Sequence, residues 1–341
     1  MGSVDLKSCY DRIAHAPAYL AMRGFGIPAG PIRSMFNTYQ NTQFKSKSVY
    51  GVSKVLFGGQ EENYIAKPQG VGQGNGAGPP VWAIVSSRMF QILKKRNLVT
   101  TFTCPVSKQA LQLCGFAFVD DSDIIATSNN VNNPYHTLKQ MQATLDSWEA
   151  SAKVTGGALK PSKSFRYLVH FTWKKGQWAY GPVEEEHKLT TMDKNNVRVD
   201  IKMKQSNEAL KMLGVYLAPD GNQEEQYKYM YKQALQLGEY MRNGFVKKEE
   251  SFIALNAITA KVIEYPLPVT TFTEKQLNSI MWQLLQSYLP KSGINCYISR
   301  DILYANKAYQ GIGLTNPFIY QGCKHVQDMN EHLYKHTRGN L

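Results

Sequence analysis

The chain has 341 residues, long enough for two or three cores of ordinary domain size. Hydrophobic residues make up 43% and charged residues 19%, which excludes a disordered chain, and a formal net charge of +13 points to a polyanionic partner. No apolar run approaches the roughly 18–20 residues that span a bilayer, and no signal-peptide core opens the chain, so a nucleic acid is expected rather than a membrane. Cys9, Cys104, Cys114, Cys296 and Cys323 are odd in number, scattered and never spaced as CxxC. That pattern suits a reducing, intracellular compartment, nuclear or cytoplasmic, and neither a disulfide framework nor a zinc ribbon.

In chain order, the stretch from Ala14 to Arg23 predicts a short amphipathic helix ended by Gly24 and Gly26. A second helix opens at Pro31 with Ile32, Met35 and Phe36 on one face. Residues 43–66 alternate and break at glycines, which predicts β-hairpins. A glycine-dense loop at 70–78 leads into an apolar helix from Val81 to about Leu93. Leu111 to Ser128 reads as strand, tight turn, strand, with Asp120 and Asp121 in the turn. A helix over Tyr135–Lys153 ends at Gly156-Gly157. Strands follow at Phe165–Trp173 and Trp178–Tyr180, turning at Lys175-Gly176, and a short one at Leu213–Leu217 closes at Pro219-Asp220-Gly221. From 223 to 341 the apolar periodicity is helical, so two regions are expected, 1–222 and 223–341.

Two adjacent acids between apolar strands are costly unless something offsets their burial and repulsion. Asp120 and Asp121 occupy such a place, and no Asp or Glu occurs between Asn63 and Val119. A divalent cation is the usual remedy, and oxygen-only ligation favours Mg²⁺. Taken alone, a solvated Asp-Asp turn explains the pair equally well. A second acidic centre, Asp5-Leu6-Lys7-Ser8-Cys9-Tyr10-Asp11, changes the balance, because two-metal phosphoryl transfer needs carboxylates from separate elements to converge. Asp11 is read as a helix N-cap.

Asp5-x-x-x-x-Tyr10-Asp11, then Gln73-Gly74-x-x-x-x-Pro79, then Phe118-Val119-Asp120-Asp121, in that order, resembles motifs A, B and C of reverse transcriptases. The likeness is greatest to the non-LTR retroelement and group II intron type. It implies an α+β fold: a polymerase palm (antiparallel sheet with packed helices), with a fingers remnant at about 43–66, followed by a mostly helical thumb-like region. It implies that Asp5, Asp120 and Asp121 hold two Mg²⁺ ions, with Mn²⁺ as a substitute. Tyr10 would lie under the incoming sugar and exclude a 2′-hydroxyl, though a plain core aromatic is the alternative. Gln73, Gly74 and Pro79 would lie by the templating base and incoming nucleotide. Lys163, in Lys160-Pro161-Ser162-Lys163, is similar to motif D and would protonate the leaving pyrophosphate; a solvated lysine is the alternative. Leu213-Gly214 resembles motif E, the primer grip. The partners implied are an RNA template, a DNA primer and deoxynucleoside triphosphates, the enzyme being from a retrotransposon-like element. Oligomeric state is not legible.

Gly72 and Gly78 depart from the family, which often has a basic residue and a serine there. Only Met1-Gly2-Ser3-Val4 precedes Asp5, so the chain is expected to be a fragment without most of the fingers. A truncated palm that only binds nucleic acid is therefore the rival reading. An RNA-dependent RNA polymerase or a nucleotidyl cyclase fits Tyr10 and Gln73-Gly74 less well. A dinucleotide fingerprint at Gly72–Ala77 fails for want of a preceding strand and a following acid. Lys163, Arg166, Tyr167, Trp173, Lys174, Lys175, Trp178 and Tyr180 could track a phosphate backbone and stack on bases, or be a hairpin with a core side and a wet side. Cys323, His325, His332 and His336 fit no standard zinc spacing.

Overall fold

The computed structural model describes residues 1–58, 69–104, 107–119, 121–127, 134–181, 183, 188–193 and 196–337. They form two compact units, 1–205 and 206–341. The first is built on a five-stranded sheet in the order Lys202–Lys204, Phe165–Tyr167, Gly2–Asp5, Asp121–Ile124, Gly115–Phe118. All neighbours are antiparallel except Lys202–Lys204 with Phe165–Tyr167, which run parallel. This is the α+β arrangement expected of a palm.

The helices of the first unit arise where the sequence predicts them. Helix Gly78–Lys95 begins on Pro79-Pro80, where missing N–H groups cost nothing, and ends on Lys94 and Lys95, which suit the negative end of the helix dipole. Its buried residues Val81, Val85, Met89 and Leu93 recur every four positions and make one stripe. Helix Pro134–Val154 answers with Leu138, Met141, Leu145, Trp148 and Ala152. The Trp148 ring lies 4.8 Å from that of Phe90, and Trp148 is fully buried. Helices His15–Gly24 and Ala29–Asn41 complete this core through Ala18, Met22, Ile32 and Phe36. Residues 43–58 carry the short pair Lys47–Ser48 and Gly51–Val52, bracketed by a Phe44–Phe57 bridge; 59–68 lie outside the described residues.

The strands depart from expectation at two places. The predicted strand through Phe165–Trp173 is broken at 168–170, so Phe171–Lys174 leaves the central sheet and, among the described residues, pairs with Gln177–Tyr180. Leu213 does not begin a strand: Leu213 and Gly214 are the turn between Leu210–Met212 and Val215–Leu217, with φ of +49° and +88°. The change from strand to helix falls near 222, yet the packing divides at 205, because this hairpin leans on the second unit. The Tyr216 N–H donates to Gln226 Oε1 at 2.8 Å, and the Tyr265 hydroxyl donates to the Leu213 carbonyl at 2.6 Å.

In the second unit, helices Glu224–Asn243 and Glu274–Lys291 pack closely where Gly238 faces the Gln283 carbonyl, a contact with no room for a Cβ. The helical stretch Lys248–Val269 is long and apolar enough to cross a bilayer by length and composition, contrary to the expectation that no such run exists. Its buried residues Leu255, Ile263 and Leu267 belong to the second core, which accounts for their apolar character.

Candidate active site

Strand Gly2–Asp5 alternates. Gly2 and Val4 are buried, while Ser3 and Asp5 take the opposite face. Asp5 stands directly across from Asp121 in the antiparallel register, and Ser3 across from Asp123. Cross-strand partners share a face with Cα atoms about 4.5–5.5 Å apart. Two carboxylates are thereby set side by side, with a Ser–Asp pair behind them. Burial raises the pKa of Asp123, and a hydrogen bond with Ser3 offsets part of that rise.

Strand Gly115–Phe118 pairs with Asp121–Ile124, Phe118 opposite Asp121 and Phe116 opposite Asp123, so both rings join the acidic face. They are half exposed, at 60% and 52%. The connection is two residues long, and Val119, the described one, has φ of +58°. A β-branched residue there is strained. The left-handed backbone costs a non-glycine about 1–2 kcal/mol, less the extra freedom glycine gives the unfolded chain, about 0.4–1 kcal/mol. Val119→Gly is therefore expected to stabilise the first unit by up to about 1.5 kcal/mol, read as a rise in the melting midpoint. Asp120 lies outside the described residues.

Asp5 is gripped on its other side. Its carbonyl accepts from the Lys160 N–H at 2.8 Å, and its N–H donates to Ser164 Oγ at 3.4 Å. Leu6 bridges Leu159, and the Lys7 N–H donates to the Ala158 carbonyl. The short turn Pro161–Lys163 is thus stapled beside the acid, and Lys163 Nζ reaches Asp5 Oδ2 at 3.5 Å. The Asp5 side chain is only 19% exposed and that of Lys163 is 63% exposed, so the lysine can swing into solvent.

Tyr10 and the glycine loop meet at the next turn of chain. Val71 and Gly70 N–H groups donate to the carbonyls of Tyr10 and Ile13. Gly70 has φ of +79°, and a Cβ there would fall 2.3 Å from the Tyr10 carbonyl oxygen. The Asp11 carboxylate accepts from the Gln73 N–H at 3.0 Å. Asp11 is therefore not the N-cap expected of it. Ser8 holds the cap position of the one-turn helix Cys9–Arg12, with φ of +48° and no side-chain cap bond. The loop instead supplies an N–H in need of an acceptor, and Asp11 meets it. His15 adds a second tether, its Nε2 2.7 Å from the Gly70 carbonyl and its Nδ1 3.1 Å from Gln40 Nε2.

Gly78 lies against the Tyr10 ring, where a Cβ would come within 3.3 Å of Cδ1; the glycine in place of the family's serine makes room for the ring. Gly74 has φ of +85° with open space around it, Gln73 is exposed, and Pro79 begins the following helix. Leu213 and Gly214 belong to the second unit, where Gly214 lines a cavity of about 420 Å³ together with Lys211, Tyr229, Lys261 and Tyr265. Lys211 Nζ sits 4.6 Å over the Tyr229 ring.

Reading the sequence missed Asp123, Phe116, Ser164, Gly70 and His15. Alternation along Phe116-Ala117-Phe118 and Asp121-Ser122-Asp123 carried a signal for the first two. The others depend on contacts with residues 55 or more positions away and leave no local trace. Among the described residues no three His, Cys, Asp or Glu side chains meet as a metal group. Cys323 and His325 lie on helix Pro317–Thr337, and the side chains at 332–337 are outside the described residues.

Opposed acids at the end of a palm strand, with a strained two-residue hairpin beside them, are the marks of a palm nucleotidyltransferase. Residues 1–218 match the family described as reverse transcriptase (RNA-dependent DNA polymerase). The chain belongs to that family. No curated protein matches it.

Proposed function

We propose that the chain copies RNA into DNA by two-metal nucleotidyl transfer on the Asp5–Asp121 face, as the polymerase of a retrotransposon-like element acting inside the cell. The observation that carries this reading is the register that sets Asp5 against Asp121, with Lys163 in contact with Asp5.

The donors are all oxygens and the carboxylates are directly opposed, which fits Mg²⁺. Asp5 and Asp121, with Asp120, would hold it as two ions, with Mn²⁺ as a substitute. When bound, the metal lowers the pKa of the primer 3′-hydroxyl and neutralises charge on the departing pyrophosphate. The chain's own residues do the rest. Lys163, released from Asp5, carries a proton toward the leaving pyrophosphate. The exposed Phe118 ring is placed to support the primer end beside Asp121. Open backbone at Gly74 admits close approach of template and nucleotide. Leu213-Gly214, a strained turn held by Tyr265, serves as the primer grip.

Tyr10 acts as the sugar gate. Its ring is half-buried and packs against Gly78, which limits its retreat from an added hydroxyl. Overpacking of that size costs about 1–3 kcal/mol, so Tyr10→Ala is expected to improve ribonucleotide use by about tenfold relative to deoxynucleotides. Competition between the two nucleotides in a single-nucleotide extension checks this.

The test of the reading is primer extension on a poly(A) template with oligo(dT), dTTP and Mg²⁺. Wild type is expected to incorporate, and Asp120→Asn is not. Equal incorporation by both would refute the carboxylate assignment, and none by wild type would leave a palm that only binds.

A further inference from the structure

We infer that the hairpin formed by Phe171–Lys174 and Gln177–Tyr180 is a stacking platform for unpaired bases of single-stranded RNA. Trp173 pairs with Trp178 across the strands and Phe171 with Tyr180, so all four rings share one face. The Trp rings meet edge to face at 5.1 Å and the Phe–Tyr rings at 5.0 Å.

Exposure decides which way that face points. Trp173 and Trp178 are 60% and 63% exposed, and Phe171 and Tyr180 are 47% and 40% exposed. Thr172 and Ala179, on the opposite face, are the half-buried residues. A hairpin contributing to a core does the reverse. Cross-strand aromatic pairs do stabilise hairpins, by about 0.2–1 kcal/mol each, and that explains why the rings meet. It does not explain four rings turned to water while threonine and alanine face the protein.

The charge nearby suits a polyanion. Of the cations between Ala150 and Val183, Arg166 is buried and Lys153 and Lys163 are paired with Glu149 and Asp5, and Glu184-Glu185-Glu186 follow in sequence, so the positive charge that counts is that of Lys174 and Lys175 on the hairpin itself. Lys174 and Lys175 are exposed at the hairpin end. The turn there is pre-set. Lys174 pairs with Gln177, and Lys175 and Gly176 have φ of +51° and +79°, the geometry of a tight two-residue hairpin. A rigid ladder of rings with cations at its tip matches the stacking and phosphate contacts by which proteins hold single strands. Paired strands hide the ring faces of their bases and would not use it. The choice of RNA over DNA rests on the polymerase reading above, in which the unpaired strand is the template; the stacking itself does not.

Fluorescein-labelled rU15 would be titrated against the full chain by anisotropy, with excess RNA–DNA hybrid present to occupy the polymerase face. Trp173→Ala with Trp178→Ala is expected to weaken binding at least about fivefold, the lower end of the range for a stacked base. The corresponding Trp→Phe pair should keep most of the affinity, and the Trp→Leu pair, apolar but unable to stack, should not. Lys174→Gln with Lys175→Gln should lessen the slope of log affinity against log salt by about 1.4, roughly 0.7 for each phosphate lost. Circular dichroism establishes which variants fold, the Leu pair serving if the Ala pair does not. Unchanged rU15 affinity in a folded Leu pair would overturn the inference. So would tighter binding of dT15 than of rU15. So would a shift from dimer to monomer in the variant with rU15 affinity intact, which would make the rings a contact between copies. Ring-dependent rU15 binding without dTTP incorporation would sink the polymerase reading and leave this one standing. Incorporation with ring-independent binding would do the opposite.

Discussion

Asp5→Asn is expected to lower primer extension by at least about 10²–10³-fold while leaving the fold intact. The asparagine keeps the shape of the side chain. The main-chain bonds from Asp5 to Lys160 and Ser164 do not involve the carboxylate, so the strand stays stapled. What changes is charge. Neutral Asn would hold a divalent cation opposite Asp121 far more weakly and gives Lys163 no charged partner. The lost ion pair has little effect on stability, because the lysine is mostly exposed and such pairs contribute about 0–1 kcal/mol. Comparing single-turnover rates with melting midpoints separates the two effects. A variant that extends primers within tenfold of wild type would mean that this face is not where the chemistry happens.

Gly70→Ala is expected to cost more than about 2 kcal/mol and to reduce activity with it. Two independent penalties meet at this residue. Its φ of +79° disfavours any Cβ, and the Cβ would fall 2.3–2.6 Å from backbone atoms of Tyr10 and Asp11. Overpacking against backbone, which cannot rotate away, costs about 1–3 kcal/mol by itself. The loop would have to move, taking with it the Val71–Tyr10 and Gln73–Asp11 bonds that seat Gln73-Gly74 beside Tyr10. Gly76→Ala is the control. Gly76 lies in the same loop with an ordinary φ and open space around it, and its substitution should leave the melting midpoint almost unchanged. Equal destabilisation by the two would show that loop entropy, rather than close approach, is what glycine supplies here.

Much of the helical framework was legible because amphipathic periodicity is local. The helices at 15–24, 78–95, 134–154, 224–243 and 274–291 lie where apolar spacing, proline starts and glycine ends put them. The ordered motifs were legible too, since Asp5, Tyr10, Gln73-Gly74 and Asp120-Asp121 form a pattern that few folds need. The aromatic run at 171–180 was ambiguous, because alternation says that a strand has two faces and not which of them is wet. Leu213-Gly214 was placed in a strand because a leucine is a poor sign of a left-handed turn; the Tyr265 hydroxyl that holds it is 52 residues away.

By itself, then, the sequence determined the class of fold and the family, since each depends on residue types at short or ordered spacings. The tertiary structure alone decided that Asp5 faces Asp121, that the lysine of the 161–163 turn touches Asp5, that Asp11 serves the glycine loop, and that four aromatic rings face solvent. Each of these is a pairing between residues distant in the chain or a choice between two faces of a strand. Such choices are settled by which arrangement buries apolar surface while leaving no hydrogen-bonding group without a partner, a condition on the whole packed unit that no local window of sequence contains.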